Sequence, residues 1–207
     1  MEQHPLDILE SFSALFVDSF AGEPEDFKGK YQFVLTEDDK DAKLQKVEIR
    51  GVPKKSILLK MQKYAPPDKV FKSTKGECKM CDYILLAFDK EYLYFIYIEM
   101  KSQNLNNRDF FSQLMAGDCF MTYCSAMAKK FHGANFSSGF LLKRYIVFHT
   151  SFPINKQPTR LKLQKCIRTT PSSSEKITTI PCTIKNGGAF TLFDNLAFDM
   201  TDDVRNA

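Results

Sequence analysis

The strongest constraint on this chain is a pair of apolar runs separated by one polar break. Cys81-Asp82-Tyr83-Ile84-Leu85-Leu86-Ala87-Phe88 and Tyr94-Phe95-Ile96-Tyr97-Ile98-Glu99-Met100-Lys101 lie on either side of Asp89-Lys90-Glu91. Both runs are rich in β-branched and aromatic residues, so they predict a β-hairpin. A turn centred on Lys90-Glu91 makes facing positions sum to 181, so that 88 faces 93 and 82 faces 99. Facing residues project to one side of the sheet, with Cα atoms about 4.5–5.5 Å apart. Lys101 follows Glu99 by two residues, and the strand period of two places it on the same side. Two carboxylates and an amine therefore converge at one end of two otherwise apolar strands. A sheet interior accepts such a cluster only with a compensating partner such as a metal ion.

The rest of the chain sets the frame for this hairpin. Its 207 residues suffice for one α/β or α+β domain with a full hydrophobic core. The division expected is a core over roughly residues 6–150, a β extension over 151–198 and a frayed tail over 199–207. No apolar stretch approaches the roughly 18 residues that a membrane span needs. Met1-Glu2-Gln3-His4-Pro5 lacks the basic-then-apolar pattern of an export signal, which predicts a cytoplasmic protein. In that setting the six cysteines read as free thiols.

Charge is unevenly spread. Residues 1–27 hold seven acidic groups and no Lys or Arg, whereas residues 54–79 hold eight lysines against Asp68 and Glu77. The lysine-rich block runs directly into Asp82. Lys60, Lys63, Lys72 and Lys75 are its candidate contacts to a polyanion, because clustered amines attract phosphates. A merely solvated lysine loop would look the same in sequence.

Periodicity places the remaining elements. Apolar residues at 6, 9, 12, 16 and 20 predict a helix from Leu6 to Phe20, with Glu10 on the flank of its apolar face. Strands are expected at 31–36, 44–50 and 56–62, then a basic loop over 64–80. Asn106-Asn107 can cap a second helix from about Arg108 to Phe131. Its packing stripe is Phe110, Leu114, Gly117, Met121, Cys124 and Ala128, and Gln113 borders that stripe. A strand is expected at 143–150, and strand-like pieces near 160–168, 176–184 and 189–193.

A helix carrying an acid, a strand, then Asp82, Glu99-Met100-Lys101, a helix with Gln113 and a closing strand resembles the core of the PD-(D/E)XK nuclease superfamily. The resemblance covers roughly residues 6–150 and departs from the superfamily motif in having Cys81, not proline, before Asp82. It implies a restriction-endonuclease-like fold: a central mixed sheet flanked by helices, in the order α-β-β-β-α-β, here with extra C-terminal strands. It further implies that Asp82, Glu99 and the Met100 carbonyl hold Mg²⁺ or Mn²⁺. Glu10 would complete the metal shell, with Glu23 or Glu25 as alternatives. Lys101 would act on the attacking water, and Gln113 would position Lys101 or a phosphate. The implied activity is metal-dependent hydrolysis of phosphodiester bonds in DNA, by a homodimer or by an effector recruited by a partner protein. Defence against foreign DNA and repair are both suitable settings.

Two other readings stand beside it. One is a non-catalytic nucleic-acid-binding or protein-interaction subunit that keeps the fold. The other is a zinc-stabilised adaptor built on Cys78, Cys81, Cys119 and Cys124, although the last pair falls within the predicted second helix with poor ligand spacing.

Overall fold

The computed structural model of the chain describes residues 4–61, 70–72, 74–102, 109–135, 140–150, 166–169, 176–182 and 188–197. The chain opens with α1 (Pro5–Leu15), started by Pro5 and by His4, whose Nδ1 accepts a hydrogen bond from the Leu6 N–H at 3.2 Å. This helix is shorter than the apolar spacing predicts. Phe16 turns to extended backbone, and the carbonyl of Phe20 accepts from the Lys60 N–H at 3.2 Å. That segment therefore leaves the helix to join a sheet as β1 (Ala21–Gly22).

The elements that follow are β2 (Glu25–Phe27), β3 (Lys30–Thr36), β4 (Lys46–Val52), β5 (Ser56–Lys60), β6 (Tyr83–Asp89) and β7 (Tyr92–Lys101). After them come α2 (Asp109–His132), β8 (Leu141–Thr150), β9 (Cys166–Thr169), β10 (Lys176–Cys182), β11 (Gly188–Leu192) and the short α3 (Asp194–Ala197). Seven strands form one mixed sheet in the order β1-β5-β6-β7-β8-β10-β9, and four form a second in the order β11-β4-β3-β2. The fold is α+β. Its elements α1, β5, β6, β7, α2 and β8 follow the expected helix–strand order, with β1 to β4 placed between α1 and β5.

The expected central mixed sheet is present, but helices flank only one of its faces, and a second sheet covers the other. α1 and α2 cover one face of the seven-stranded sheet, in a core that includes Ile8, Phe12, Ile84, Phe95, Tyr97 and Leu114. The other face packs on the second sheet through Phe33, Leu35, Val47, Ile49, Leu85 and Ile96. The layers are thus helix, sheet, sheet. Burial patterns give the reason. β4 alternates buried and partly exposed residues over Lys46–Arg50 and so buries one face, whereas β6 and β7 are almost continuously buried and need cover on both faces.

Two polar ties hold the sheets together beside the end of the hairpin. The Tyr83 hydroxyl donates to the Thr36 carbonyl at 2.5 Å and accepts from the Thr36 N–H at 2.8 Å. The Ser102 hydroxyl accepts from the Leu44 N–H at 3.2 Å. The C-terminal strands are built into both layers: β10 lies parallel to β8, and β11 lies parallel to β4.

Candidate active site

β6 and β7 pair from Tyr83↔Ile98 to Asp89↔Tyr92, the register in which facing numbers sum to 181. Continued by one residue, that register sets Asp82 opposite Glu99. Ile84, Leu86, Phe95 and Tyr97 belong to the helix-side core, so strand alternation carries Asp82, Glu99 and Lys101 onto the helix face as well.

Glu99 is 1 % exposed. Its Oε1 pairs with the Lys101 amine, while Oε2 is buried with no hydrogen-bond partner among the described residues. Burial, and then the charge of Asp82, push the Glu99 carboxyl up to about 8, against the opposing pull of Lys101. A buried polar atom left unsatisfied is costly, and native structures keep few of them.

Asp82 sits where β6 has not yet begun. Its carbonyl accepts from the Met61 N–H at 2.9 Å, which fixes its backbone to the end of β5. Its Oδ2 accepts from the Met100 N–H at 2.6 Å. A strand residue directs its N–H and C=O to the same edge, so the Met100 carbonyl also faces the gap beside Asp82. Lys101 is held from the helix side, where its amine donates to Gln113 Oε1 at 2.9 Å, and Gln113 Nε2 donates to the Met80 carbonyl at 3.4 Å. The structure thus brings Asp82, Glu99, Met100, Lys101 and Gln113 together.

It does not bring Glu10 to them. Glu10 is exposed and pairs with Lys55 at 3.4 Å, and the Lys55 carbonyl accepts from the Phe88 N–H at the turn end of the hairpin. Six strand residues, about 20 Å, separate Phe88 from Asp82. The cause is the direction of α1, which starts with His4 against the Phe88 ring and advances to Phe12 against Phe95. An apolar stripe reveals which way a helix rolls, not at which end of a sheet it begins.

The candidate lysines divide. Lys60 pairs with Asp38 at 3.0 Å, and Lys63 lies outside the described residues. Lys72 and Lys75 are exposed, in a stretch that meets α2 where Gly76 lies against Ser112, the residue before Gln113. That contact brings Lys75, the residue before Gly76, toward the edge of the site.

One neighbour was not foreseen. His149 is the register partner of Lys101 on β8, and alternation puts it on the same face as Tyr145 and Val147. Nothing in the sequence signals it, because a parallel pairing across a long helix leaves no local pattern.

Among the described residues the cysteines do not form a metal-binding group. Cys81 and Cys124 are buried, Cys119 is exposed, and no group of three or more His, Cys, Asp or Glu suited to a metal occurs among the described residues. Burial, then the charges of Glu99 and Asp82, push the Cys81 thiol well up, so it stays protonated. What the site offers a cation is hard oxygen from Asp82 and Glu99, including the unpartnered Oε2, with the Met100 carbonyl alongside. Such a donor set suits Mg²⁺ better than a soft metal. No helix among the described residues is long and apolar enough to cross a membrane. No known protein family, curated protein or solved structure matches this chain.

Proposed function

We propose that this protein is a metal-dependent nuclease that hydrolyses phosphodiester bonds in DNA, on a restriction-endonuclease-like core formed by α1, β5, β6, β7, α2 and β8. The observation that carries this reading is Glu99: a buried carboxylate facing a second carboxylate, with one oxygen that has no hydrogen-bond partner among the described residues. Asp82, Glu99 and the Met100 carbonyl would hold Mg²⁺ or Mn²⁺. When bound, the ion polarises the phosphodiester and lowers the pKa of its water.

The chain's own residues account for the remaining work. Lys101, fixed between Glu99 and Gln113, presents an amine that orients a water and offsets negative charge as it develops on the phosphoryl oxygens. Asp82 keeps its second oxygen directed by the Met100 N–H. The exposed Lys72 and Lys75, the latter next to the Gly76–Ser112 contact, would draw the polyanion toward the site.

Plasmid and single-stranded DNA incubated with the protein in Mg²⁺, Mn²⁺ or EDTA test this reading. Nicking that requires the metal and disappears in both Asp82→Ala and Lys101→Ala supports it. DNA binding that is equal in EDTA and in both variants, without any cutting, would instead establish a non-catalytic binding subunit.

A further inference from the structure

We infer that Gly117 is a positioning residue of this site: its missing side chain lets α2 sit close enough to the hairpin for Gln113 to hold the Lys101 amine. The inference rests on the site as described above, and its direct readout is independent of cleavage. Gly117 lies one helical turn beyond Gln113 and therefore on the same face of α2. A Cβ built on Gly117 would meet Cys81 Sγ at 2.6 Å, Tyr97 Cδ1 at 3.3 Å and Ile84 Cδ1 at 3.7 Å. The first of these is closer than packed atoms tolerate, so the helix or the sulfur would have to move.

Neither has room. Cys81 is 1 % exposed and its Sγ–H is directed at the Tyr83 carbonyl at 3.5 Å. Tyr97 is stacked on Tyr145 with centroids 5.0 Å apart, and its hydroxyl donates to Asp118 at 2.6 Å. The residues adjoining these contacts are those of the site: Asp82 follows Cys81, and Glu99 lies two positions beyond Tyr97. Glycine within a helix is destabilising relative to alanine. Here that cost is matched to a close approach of helix and strands at the level of the carboxylates. A helix displaced outward at residue 117 carries Gln113 with it and releases Lys101.

The test compares Gly117→Ala, Gln113→Ala, Cys81→Ala and the double variant Cys81→Ala/Gly117→Ala. The readout is the ¹³Cε resonance of Lys101 in ¹³C-lysine-labelled protein, assigned by its loss in Lys101→Ala. Gly117→Ala should shift this resonance in the same direction as Gln113→Ala, and the double variant should return it to the position seen in Cys81→Ala alone. DNA cleavage in Mg²⁺ should fall about tenfold in Gly117→Ala and recover in the double variant. An unchanged Lys101 resonance in Gly117→Ala, or a shift that removal of the sulfur does not reverse, overturns the assignment. If Gly117→Ala does not fold, the double variant decides: folding with a normal Lys101 resonance supports the role, and failure to fold removes it. Protein that shows the resonance changes yet never cuts DNA refutes the nuclease reading and leaves the positioning role intact.

Discussion

Two glutamates, Glu48 on β4 and Glu99 on β7, each have a cation two residues away on their own strand, and they behave in opposite ways. Glu48 pairs with Lys46 at 2.8 Å and with Arg50 at 2.5 Å on a surface where its side chain is 21 % exposed. Hydrogen bonds from Lys46 and then Arg50 hold its carboxyl below the usual value. Glu99 has Lys101 on one side and Tyr97 on the other. It is buried, Asp82 faces it, and its carboxyl is pushed up to about 8. The same local pattern of acid and base at a spacing of two therefore yields an ordinary ion-pair row in one place and a buried, under-compensated cluster in the other. Layer position makes the difference. β4 turns one face to solvent, whereas β7 is covered on both.

The largest effect that would break this contrast is on catalysis. Lys101→Ala should reduce Mg²⁺-dependent DNA cleavage by at least about 100-fold, the scale of a lost proton-transfer group, in a gel-based nicking assay. Lys46→Ala, in the matching place beside Glu48, should leave the rate unchanged. Equal losses would mean that the two pairs do not differ in kind.

A second effect concerns pH. In folded protein Glu99 keeps a proton up to about 8 that an ordinary carboxyl loses near 4.5. The folded state therefore binds the extra proton, and stability falls as pH rises through that window. In EDTA the Tm of wild type should decline from pH 5 to pH 8 relative to Glu99→Gln, which lacks the titration. Mg²⁺ should raise the wild-type Tm more at pH 8 than at pH 6, because a cation competes with the proton for the carboxylate. A Mg²⁺ shift independent of pH would argue against Glu99 as a ligand. Glu48 has the opposite sign, contributing stability above 4.5 that is lost on acidification.

Smaller again is the support from α2. Gln113→Ala should lower cleavage about tenfold, as expected when a group that orients a functional side chain is removed. The smallest effect is expected at the surface row. Glu48→Gln should cost no more than about 1 kcal/mol in urea unfolding and should not alter cleavage. A larger loss would show that the β4 row shares the tight coupling reserved here for the hairpin.

Much of this geometry was legible in residues near one another in sequence. The hairpin register follows from one short turn and a side-chain period of two, so the juxtaposition of Asp82 with Glu99 could be counted. The stripe from Phe110 to Ala128 on α2 likewise predicted its packed face, and five of its six members are buried hydrophobics, with Gly117 the sixth. The partition into two sheets was not legible. β3 and β4 were foreseen as strands, but an alternating pattern states that one face is buried without saying against what. β11 reaches β4 from about 140 residues away, and no local signal encodes a pairing across such a distance. Glu10 shows the same limit on a helix, where the direction of travel over the sheet was missing.

By itself, then, the sequence determined which residues share a strand face and which strand turns back upon which. These properties follow from backbone periodicity and from loops too short to allow alternatives. Only the tertiary structure decided that one end of that hairpin would be roofed by α2 and backed by a second sheet. Removing water from Glu99 is a collective result of layers contributed by distant segments, and the unusual protonation of that carboxyl exists only once those layers have closed.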